Sequence, residues 1–129
     1  MARRKSINVK GYSHANPIPA GALVGGLLAT GLITGRDPVS GKMPATLAEQ
    51  VTNMFGHVTA IVEAAGGTME EIVKLNVFMH DRSQRAALND IWLKLFPDEN
   101  NRPARHTQQV ELDGGQLIQC DFMAMVGGK

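Results

Sequence analysis

The segment Arg102-Pro103-Ala104-Arg105 places a cation on a stiff stretch of backbone. Pro103 fixes one φ angle and Ala104 is small, so Arg105 enters the strand predicted after it from a rigid approach. A guanidinium held in this way can bind a carboxylate through two parallel hydrogen bonds, which is a common means of anchoring a small organic acid. The alternative interpretation is an arginine that pairs with an aspartate or glutamate at the surface.

Asp121 is a second candidate, because it lies within an apolar strand pattern in which a carboxylate is disfavoured. Asp121 shares one face of the predicted strand with Gln119. The other face is apolar and comprises Ile118, Cys120, Phe122 and Ala124. In a central strand Asp121 requires a polar partner and becomes a candidate acid, base or water-positioning group. In an edge strand it is a solvated charge.

Asn89 is a third polar candidate and lies on a predicted helix. It precedes Ile91 and Trp92, which belong to the apolar face of that helix. An amide in this position either is buried with a hydrogen-bond partner, as buried polar groups generally are, or lies on the helix surface. The sequence alone leaves both interpretations open.

The remaining reactive side chains match no catalytic or metal-binding motif. The four histidines include no pair at i and i+4 and have no cysteine nearby, so no metal site is predicted. Cys120 lies on the apolar face of its strand and is interpreted as a small core residue. Five residues separate Gly35 from Gly41 where a phosphate-binding loop has four, and Met43 stands where that loop has Ser or Thr. This segment is predicted to be a turn.

Glycine pairs and a capping pattern delimit the predicted elements in the first half of the chain. Apolar residues in 21–34 predict two short strands separated by a turn at Gly25-Gly26. A helix is predicted to begin after Thr46, because Thr46 and Glu49 form the capping-box pattern, and to end at Gly66-Gly67. Apolar residues recur every three or four positions between these limits, as expected for one buried helix face.

Alternating and helical patterns continue through the second half of the chain. Residues 72–80 predict a strand, and residues 84–96 predict a helix. Two further strands are predicted at 105–112 and 117–126, with Asp113-Gly114-Gly115 as the turn between them. The residues predicted to share the inner faces are Val73, Leu75, Val77 and Met79 in the strand, and Leu88, Ile91, Trp92 and Leu95 in the helix.

The resulting order β-β-α-β-α-β-β predicts an α+β fold. We expect a two-layer sandwich in which a mixed sheet of five to six strands packs on two helices. The length of 129 residues supports a single domain over residues 1–129. Residues 1–15 are polar and rich in turn formers, and are expected to form an N-terminal arm with one short strand.

Composition excludes several function classes. The 13 Lys+Arg balance 12 Asp+Glu to a net charge of +1, which gives no electrostatic reason to expect a nucleic acid partner. A single cysteine cannot form an intramolecular disulfide, and this favours a reducing, cytoplasmic location. The apolar stretch 18–35 contains five glycines and falls short of the roughly 20 residues that a membrane span needs. No membrane association is therefore predicted.

Several stretches together resemble the RidA family, also called YjgF. The matching features are the pair Thr30-Gly31, the helix that ends in EAAGG, the strand VKLNVFMHD, the helix motif LN..W and the triplet PAR. The resemblance covers about residues 16–126. Each feature is weak by itself, but their joint occurrence in the same order is specific.

The resemblance implies a chorismate-mutase-like fold and a homotrimer with clefts at the subunit interfaces. It implies hydrolysis of reactive enamines and imines, such as 2-aminoacrylate, to 2-oxo acids and ammonia, with no cofactor and no metal. By the same resemblance Arg105 holds the substrate carboxylate and Asp121 positions the attacking water. The residues expected to line the cleft are Thr30, Gly31, Asn89 and Thr107.

The chain departs from the family pattern at three points. Deaminating members typically have an early tyrosine, and the region matched to it, 16–19, has none. Thr107 stands where a cysteine is common, and Asp121 replaces a glutamate. These departures leave room for another substrate, for example an enamine from aromatic-ring catabolism such as 2-aminomuconate. A non-catalytic member that binds a small carboxylate, and a chaperone-like protein that acts through its surface, are the alternatives from other functional classes.

Overall fold

The computed structural model describes residues 3–127, and within them one mixed sheet and two α-helices form. Single turns of 3₁₀ helix precede β5 and α2, at Met69–Glu71 and Arg82–Gln84. The elements are β1 (Arg4–Ile7), β2 (Gly21–Val24), β3 (Leu27–Thr30), β4 (Ile33–Thr34), α1 (Leu47–Ala64), β5 (Ile72–Met79), α2 (Arg85–Leu95), β6 (Ala104–Gln109) and β7 (Ile118–Met125). The predicted α+β class and the predicted order of elements are confirmed, with β4 as an additional strand.

The sheet has the strand order β1-β2-β3-β7-β5-β6, and β4 pairs with the first half of β7. All neighbouring strands are antiparallel except β5 and β6, which are parallel. The short strand expected within the N-terminal arm is β1, which pairs with β2 at one edge of the sheet. The last strand of the chain, β7, therefore lies at the centre, and β6 forms the opposite edge.

The predicted connection between the last two strands needs correction. Gly114 and Gly115 do form a turn, with φ of 66° and 77°, but β6 and β7 are not neighbours, because β5 lies between them. The loop crosses the end of β5 through two backbone hydrogen bonds, one from Val110 N to Met79 O and one from His80 N to Leu117 O, both 3.0 Å. Strand β6 also ends at Gln109, three residues earlier than predicted.

Helix α1 begins and ends where the capping residues predict. The Thr46 side chain accepts a hydrogen bond from Glu49 N at 3.2 Å, and Gly66 follows the helix with a φ of 87° that favours glycine. The apolar face of α1 is buried against the sheet, as predicted. Pro97 follows α2, whose last residue is Leu95.

The core lies between the helices and one face of the sheet. Cys120 is buried there, so it is a core residue as predicted, and burial raises the pKa of its thiol. The residues of β7 alternate between the two faces, with Ile118, Cys120, Phe122 and Ala124 towards the core. The other sheet face carries no helix of residues 3–127, and no helix in this range is long and apolar enough to cross a membrane.

Two of the predicted inward-facing residues are exposed. A β-bulge between Ile72 and Lys74 shifts the register of β5 against β7, and it turns Val73 outward, 56% exposed. Leu95 occupies the last turn of α2 and is 36% exposed, because the chain leaves the helix there instead of packing further on the sheet. Periodicity identifies a strand or helix, but a bulge or a helix end changes the face of a single residue.

Gln50 on α1 is fully buried although it is polar. Its Nε2 donates to Pro44 O at 2.8 Å and to Gly115 O at 2.9 Å, and its Oε1 accepts from Leu117 N at 2.8 Å. Gly35 packs directly on this turn of α1, since a Cβ at Gly35 would lie 2.4 Å from Gln50 O. The sequence patterns did not identify either contact.

We predict that Gln50→Met destabilises the fold by about 3 kcal/mol or more, because it leaves one buried N–H and two buried carbonyls without partners at roughly 1–3 kcal/mol each. Urea denaturation followed by circular dichroism measures the change in the free energy of unfolding. Gln108→Met on the exposed side of β6 is the matched control, expected within about 0.5 kcal/mol of wild type. Equal stability of the two variants would contradict the role assigned to Gln50.

Candidate functional site

Arg105 lies on edge strand β6 and reaches α2. Its Nη2 donates to Asn89 Oδ1 at 2.9 Å, and its Cζ stands 4.9 Å from the centroid of the Trp92 ring. The stacked ring and the amide hold the guanidinium plane in one orientation. Asn89 is exposed, so it lies on the helix surface, and its amide oxygen accepts the hydrogen bond that orients Arg105.

The two arginines of the segment 102–105 have different environments. Arg102 Nε donates to Phe96 O at 2.8 Å and its Nη2 to Pro97 O at 3.4 Å, so this side chain closes the loop after α2. In contrast, Arg105 Nη1 is buried and has no hydrogen-bond partner among residues 3–127. Of the two guanidiniums, Arg105 is the one with a buried donor left without a partner among residues 3–127, and a ligand could satisfy it.

The cleft beside Arg105 has a volume of about 320 Å³ and is lined by Asn89, Trp92, Leu93 and Arg105. Burial, and then the positive charge of Arg85, lower the pKa of Arg105. Arginine nevertheless stays charged in proteins. The cleft thus presents a cation that is partly desolvated, and none of the four residues that line it carries a carboxylate. An anion bound here would satisfy the free Nη1 and offset the unfavourable charge environment.

Thr107 lies two residues after Arg105 on β6 and on the same face of the sheet, because side chains alternate along a strand. It is opposite Val77 on β5 and is half-buried. Asn89, Arg105 and Thr107 form one group, which we call the β6 cluster. Arg105 and Asn89, both predicted site residues, are joined by a direct hydrogen bond, and their role in binding stays a prediction.

Asp121 lies near the middle of central strand β7 and has a specific partner. Its Oδ1 accepts a hydrogen bond from Asn76 Nδ2 at 2.8 Å, across the β5–β7 pair. The central position and the polar partner both meet the condition set by the sequence for a candidate acid, base or water-positioning group. The half-buried carboxylate keeps its second oxygen on the sheet face that carries no helix.

Thr30 and Gly31 lie beside Asp121 at an irregularity of the sheet. Ala29 pairs with Met123 and Ile33 pairs with Cys120, so three residues of one chain segment face two of the other. Thr30 Oγ1 accepts a hydrogen bond from Phe122 N at 3.0 Å, which satisfies this backbone donor where the strand pairing is interrupted. Bulges of this kind re-aim neighbouring groups and are common next to active sites. Thr30, Gly31 and Asp121 form a second group, the β7 cluster.

The two clusters are separated within one chain. Arg105 is paired with Leu75 and Asp121 with Asn76, and these successive residues of β5 point to opposite faces of the sheet. Thr30 is on β3, three strand positions from β6, or about 14 Å at the usual strand spacing. One small molecule cannot touch both clusters of the same chain.

A group of residues that the sequence patterns did not single out borders Gly31. Tyr12 is buried, and its hydroxyl donates to Leu32 O at 3.1 Å and accepts from Thr34 N at 3.0 Å. His14 Nε2 is a buried nitrogen with no partner among residues 3–127, and it would lie 3.5 Å from a Cβ at Gly31. The only tyrosine of the chain is thus at 12 instead of 16–19, and it adjoins the β7 cluster.

Arg36 and His57 complete this neighbourhood. The Arg36 guanidinium carbon stands 4.7 Å from the centroid of the Tyr12 ring, and His57 Nε2 lies 2.7 Å from Arg36 O. Burial, followed by the charge of Arg36, lowers the pKa of His14. Burial is also the largest cause of the lowered pKa of His57. Within residues 3–127, no three His, Cys, Asp or Glu side chains are grouped closely enough to hold a metal ion.

We predict that acid destabilises the fold partly through His57. Its pKa is lowered by folding, so the unfolded chain binds the proton more readily, and stability falls as the pH drops through about 6.5, the ordinary histidine value. Since His57→Gln retains an N–H donor for Arg36 O but has no proton to gain, it should lose less stability between pH 7.5 and pH 5.5. Urea denaturation at both pH values tests this. An equal loss of stability in His57→Gln and wild type would contradict this role of His57. The control is His106→Gln, at an exposed position of β6.

Comparisons with known proteins agree with this architecture. The family model described as Endoribonuclease L-PSP matches residues 8–125. A RutC family protein of Aquifex aeolicus (strain VF5) is 35% identical over 115 residues, which cover 84% of this chain and 92% of the relative. A 2-iminobutanoate/2-iminopropanoate deaminase of Escherichia coli (strain K12) is 34% identical over 95 residues, which cover 73% and 74%.

A solved structure extends the similarity to the fold. The crystal structure of E. coli TdcF with bound serine matches with a TM-score of 0.86 at 26% identity, and the match covers 94% of this chain and 98% of TdcF. The resemblance inferred from the sequence motifs is confirmed by the family model, which spans nearly the whole chain. The chain belongs to the RidA/YjgF family, whose model is described as Endoribonuclease L-PSP.

Proposed function

We propose that this protein hydrolyses imines or enamines that carry a carboxylate, releasing a 2-oxo acid and ammonia. The observation that carries the proposal is the Arg105 guanidinium, which faces a cleft with a buried Nη1 that has no partner among residues 3–127. Relatives at about 34% identity are named 2-iminobutanoate/2-iminopropanoate deaminase, and TdcF is a relative with bound serine, itself a small carboxylate. Both support an anionic small-molecule substrate.

The reaction needs positioning more than a strong catalyst. A protonated imine carbon is already electrophilic, so a water molecule adds to it, and loss of one proton gives the neutral carbinolamine. A proton moves to the nitrogen, the C–N bond breaks, and the products are the 2-oxo acid and ammonium. Arg105 anchors the carboxylate, while Asp121 orients the water and accepts its proton. Asn89 fixes Arg105, and Thr30, Gly31 and Thr107 line the cleft.

This assignment requires more than one copy of the chain. Arg105 and Asp121 lie on opposite faces of one sheet, so a site that uses both must take Arg105 from one subunit and Asp121 from another. The sheet face that lacks helices also exposes apolar side chains at one end, namely Val24, Leu27, Met123 and Met125. A homotrimer with clefts at its subunit interfaces would cover this face and join the two clusters. The cytoplasmic location of the protein stays a prediction from the sequence.

A non-catalytic member that holds a small carboxylate in the same cleft is the alternative, and Asp121 distinguishes the two. A catalyst needs the carboxylate, whereas a binding protein would tolerate an amide. RNA cleavage, which the description of the family model names, draws no support from a chain with a net charge of only +1. An enamine such as 2-aminomuconate is a second substrate within the same reaction class.

We predict that Arg105→Gln lowers kcat/KM for 2-iminopropanoate by about 100-fold, because it removes a charged anchor in a partly desolvated cleft. An amino-acid oxidase generates the imine in situ, and trapping of the remaining imine with semicarbazide follows its loss. The control Lys5→Gln removes a cation from β1 at the far edge of the sheet. Lys5 is exposed and pairs with Leu23, on the face opposite the exposed apolar side chains, so the variant should match wild type.

Three outcomes would count against the proposal in different ways. If wild type accelerates the loss of no apolar, acidic or aromatic-derived imine, the enzymatic function is wrong and the non-catalytic alternative is favoured. If Arg105→Gln is as active as Lys5→Gln, the function stands and the anchor is misassigned. Asp121→Asn should lower kcat while it retains binding of a carboxylate product; an unchanged kcat would assign the positioning of water to another group.

We predict that Arg105→Gln and Asp121→Asn complement each other in mixed oligomers. In a ring with sites between neighbours, random 1:1 mixing pairs an intact Arg105 with an intact Asp121 at about one quarter of the sites. Activity of the co-expressed mixture should therefore recover to about a quarter of wild type, while each variant alone stays well below that level. Recovery that is absent from mixtures shown to exchange subunits would exclude a site shared in this way.

A further inference from the structure

The groove between α2 and β6 is longer than the cleft at Arg105. Helix α2 runs back along the sheet, antiparallel to β6, so the first turn of the helix lies near the last residue of the strand. The hydrogen bond from Arg82 N to Gln109 Oε1, at 3.0 Å, fixes this end. The bond between Asn89 and Arg105 joins helix and strand further along. Thr107 lies on the strand between these two points.

A second guanidinium lies along this groove. Arg85 is the first residue of α2, is exposed, and precedes Asn89 by four positions. Residues at i and i+4 share a helix face, and their Cα atoms are separated by about 6 Å along the axis. The charge of Arg85 is close enough to lower the pKa of Arg105. Arg85 and Arg105 thus flank Asn89 as two cations on one groove.

Two like charges in proximity destabilise each other unless an anion lies between them or bridges them. Within residues 3–127 the side-chain hydrogen bond of Arg105 goes to the neutral amide of Asn89, and its Nη1 has no partner. One carboxylate at Arg105 would satisfy Nη1 but leave Arg85 without an anionic partner. A ligand with two anionic groups would engage both guanidiniums along the groove.

We infer that the preferred substrate carries a second carboxylate, which Arg85 binds while Arg105 holds the first. This inference rests on the proposed function and specifies its substrate class as dicarboxylic imines or enamines of about four to six carbons. The carboxyl carbons of such chains are about 4 to 6.5 Å apart when extended, from bond lengths of about 1.5 Å. Because Asn89 contacts the Arg105 guanidinium, the axial rise of about 6 Å from Arg85 to Asn89 sets the scale of the separation between the two cations, and the ligand span is comparable to it. Arg85 is then a specificity-determining residue and takes no part in the water addition.

The test compares two imines that differ by one carboxylate. D-Amino-acid oxidase acting on D-alanine supplies 2-iminopropanoate, and D-aspartate oxidase acting on D-aspartate supplies 2-iminosuccinate. We expect wild type to prefer 2-iminosuccinate. Arg85→Gln should reduce the ratio of kcat/KM for 2-iminosuccinate to kcat/KM for 2-iminopropanoate by about tenfold or more, because a hydrogen bond to a charged group typically contributes this much. Arg85→Lys should retain part of the preference. Lys5→Gln removes the same charge elsewhere and should leave the ratio unchanged.

Calorimetric titration with succinate and with propionate gives a readout that does not depend on catalysis. Tighter binding of succinate that is lost in Arg85→Gln supports the inference even if no imine is hydrolysed, in which case only the proposed function fails. Hydrolysis of 2-iminopropanoate together with an unaltered substrate ratio in Arg85→Gln would overturn the inference and leave the proposed function intact. Equal binding of succinate and propionate by wild type would also overturn it.

Discussion

The side-chain amide of Gln50 connects three parts of the chain that are distant in sequence. Its two donated bonds and one accepted bond tie helix α1 to the loop before it and to residues 115–117, immediately before β7. Since β7 is the central strand, this amide fixes where the strand starts, and hence which of its residues point to the core and which to the open face. Gly35 allows α1 to approach closely enough for this, because any Cβ there would overlap the backbone of Gln50. The positions of Asp121 and Cys120 follow from the register that results.

Local signals in the sequence were sufficient to predict most of the secondary structure. Thr46 with Glu49, and Gly66 with Gly67, delimit α1 because capping and helix termination depend on a few neighbouring residues. Long-range pairing was not predictable in the same way. The turn at Gly114 and Gly115 has the composition of a hairpin, yet β5 separates the two strands, because turn residues specify local backbone angles and not which edge of the sheet a strand joins. The burial of Gln50 and His57 was missed for a related reason, since their partners are backbone groups far along the chain.

The candidate site shows the same division between local and distant information. Alternation along β7 correctly placed Asp121 on the face opposite Cys120. The stiff approach through Pro103 pointed to Arg105, but the contacts that orient its guanidinium come from Asn89 and Trp92 on α2. Residue types alone did not reveal that these two side chains lie on opposite faces of the sheet, because this follows from the registers of β6 and β7 against β5. Nor did they identify Tyr12 and His14 beside Gly31, whose proximity arises from an N-terminal segment folded back across the sheet. The polar and aromatic composition of Tyr12-Ser13-His14 was the available signal.

The burial of Cys120 has a consequence for experiments on this chain. It is the only sulfhydryl, it lies at the centre of the strand that joins both halves of the sheet, and its raised pKa keeps it protonated and unreactive in the folded state. An alkylating reagent can reach it only when β7 separates from its neighbours or the whole domain opens. The rate at which Cys120 is alkylated therefore reports how often that opening occurs, and no probe has to be introduced. A ligand that holds β7 in place will slow this alkylation.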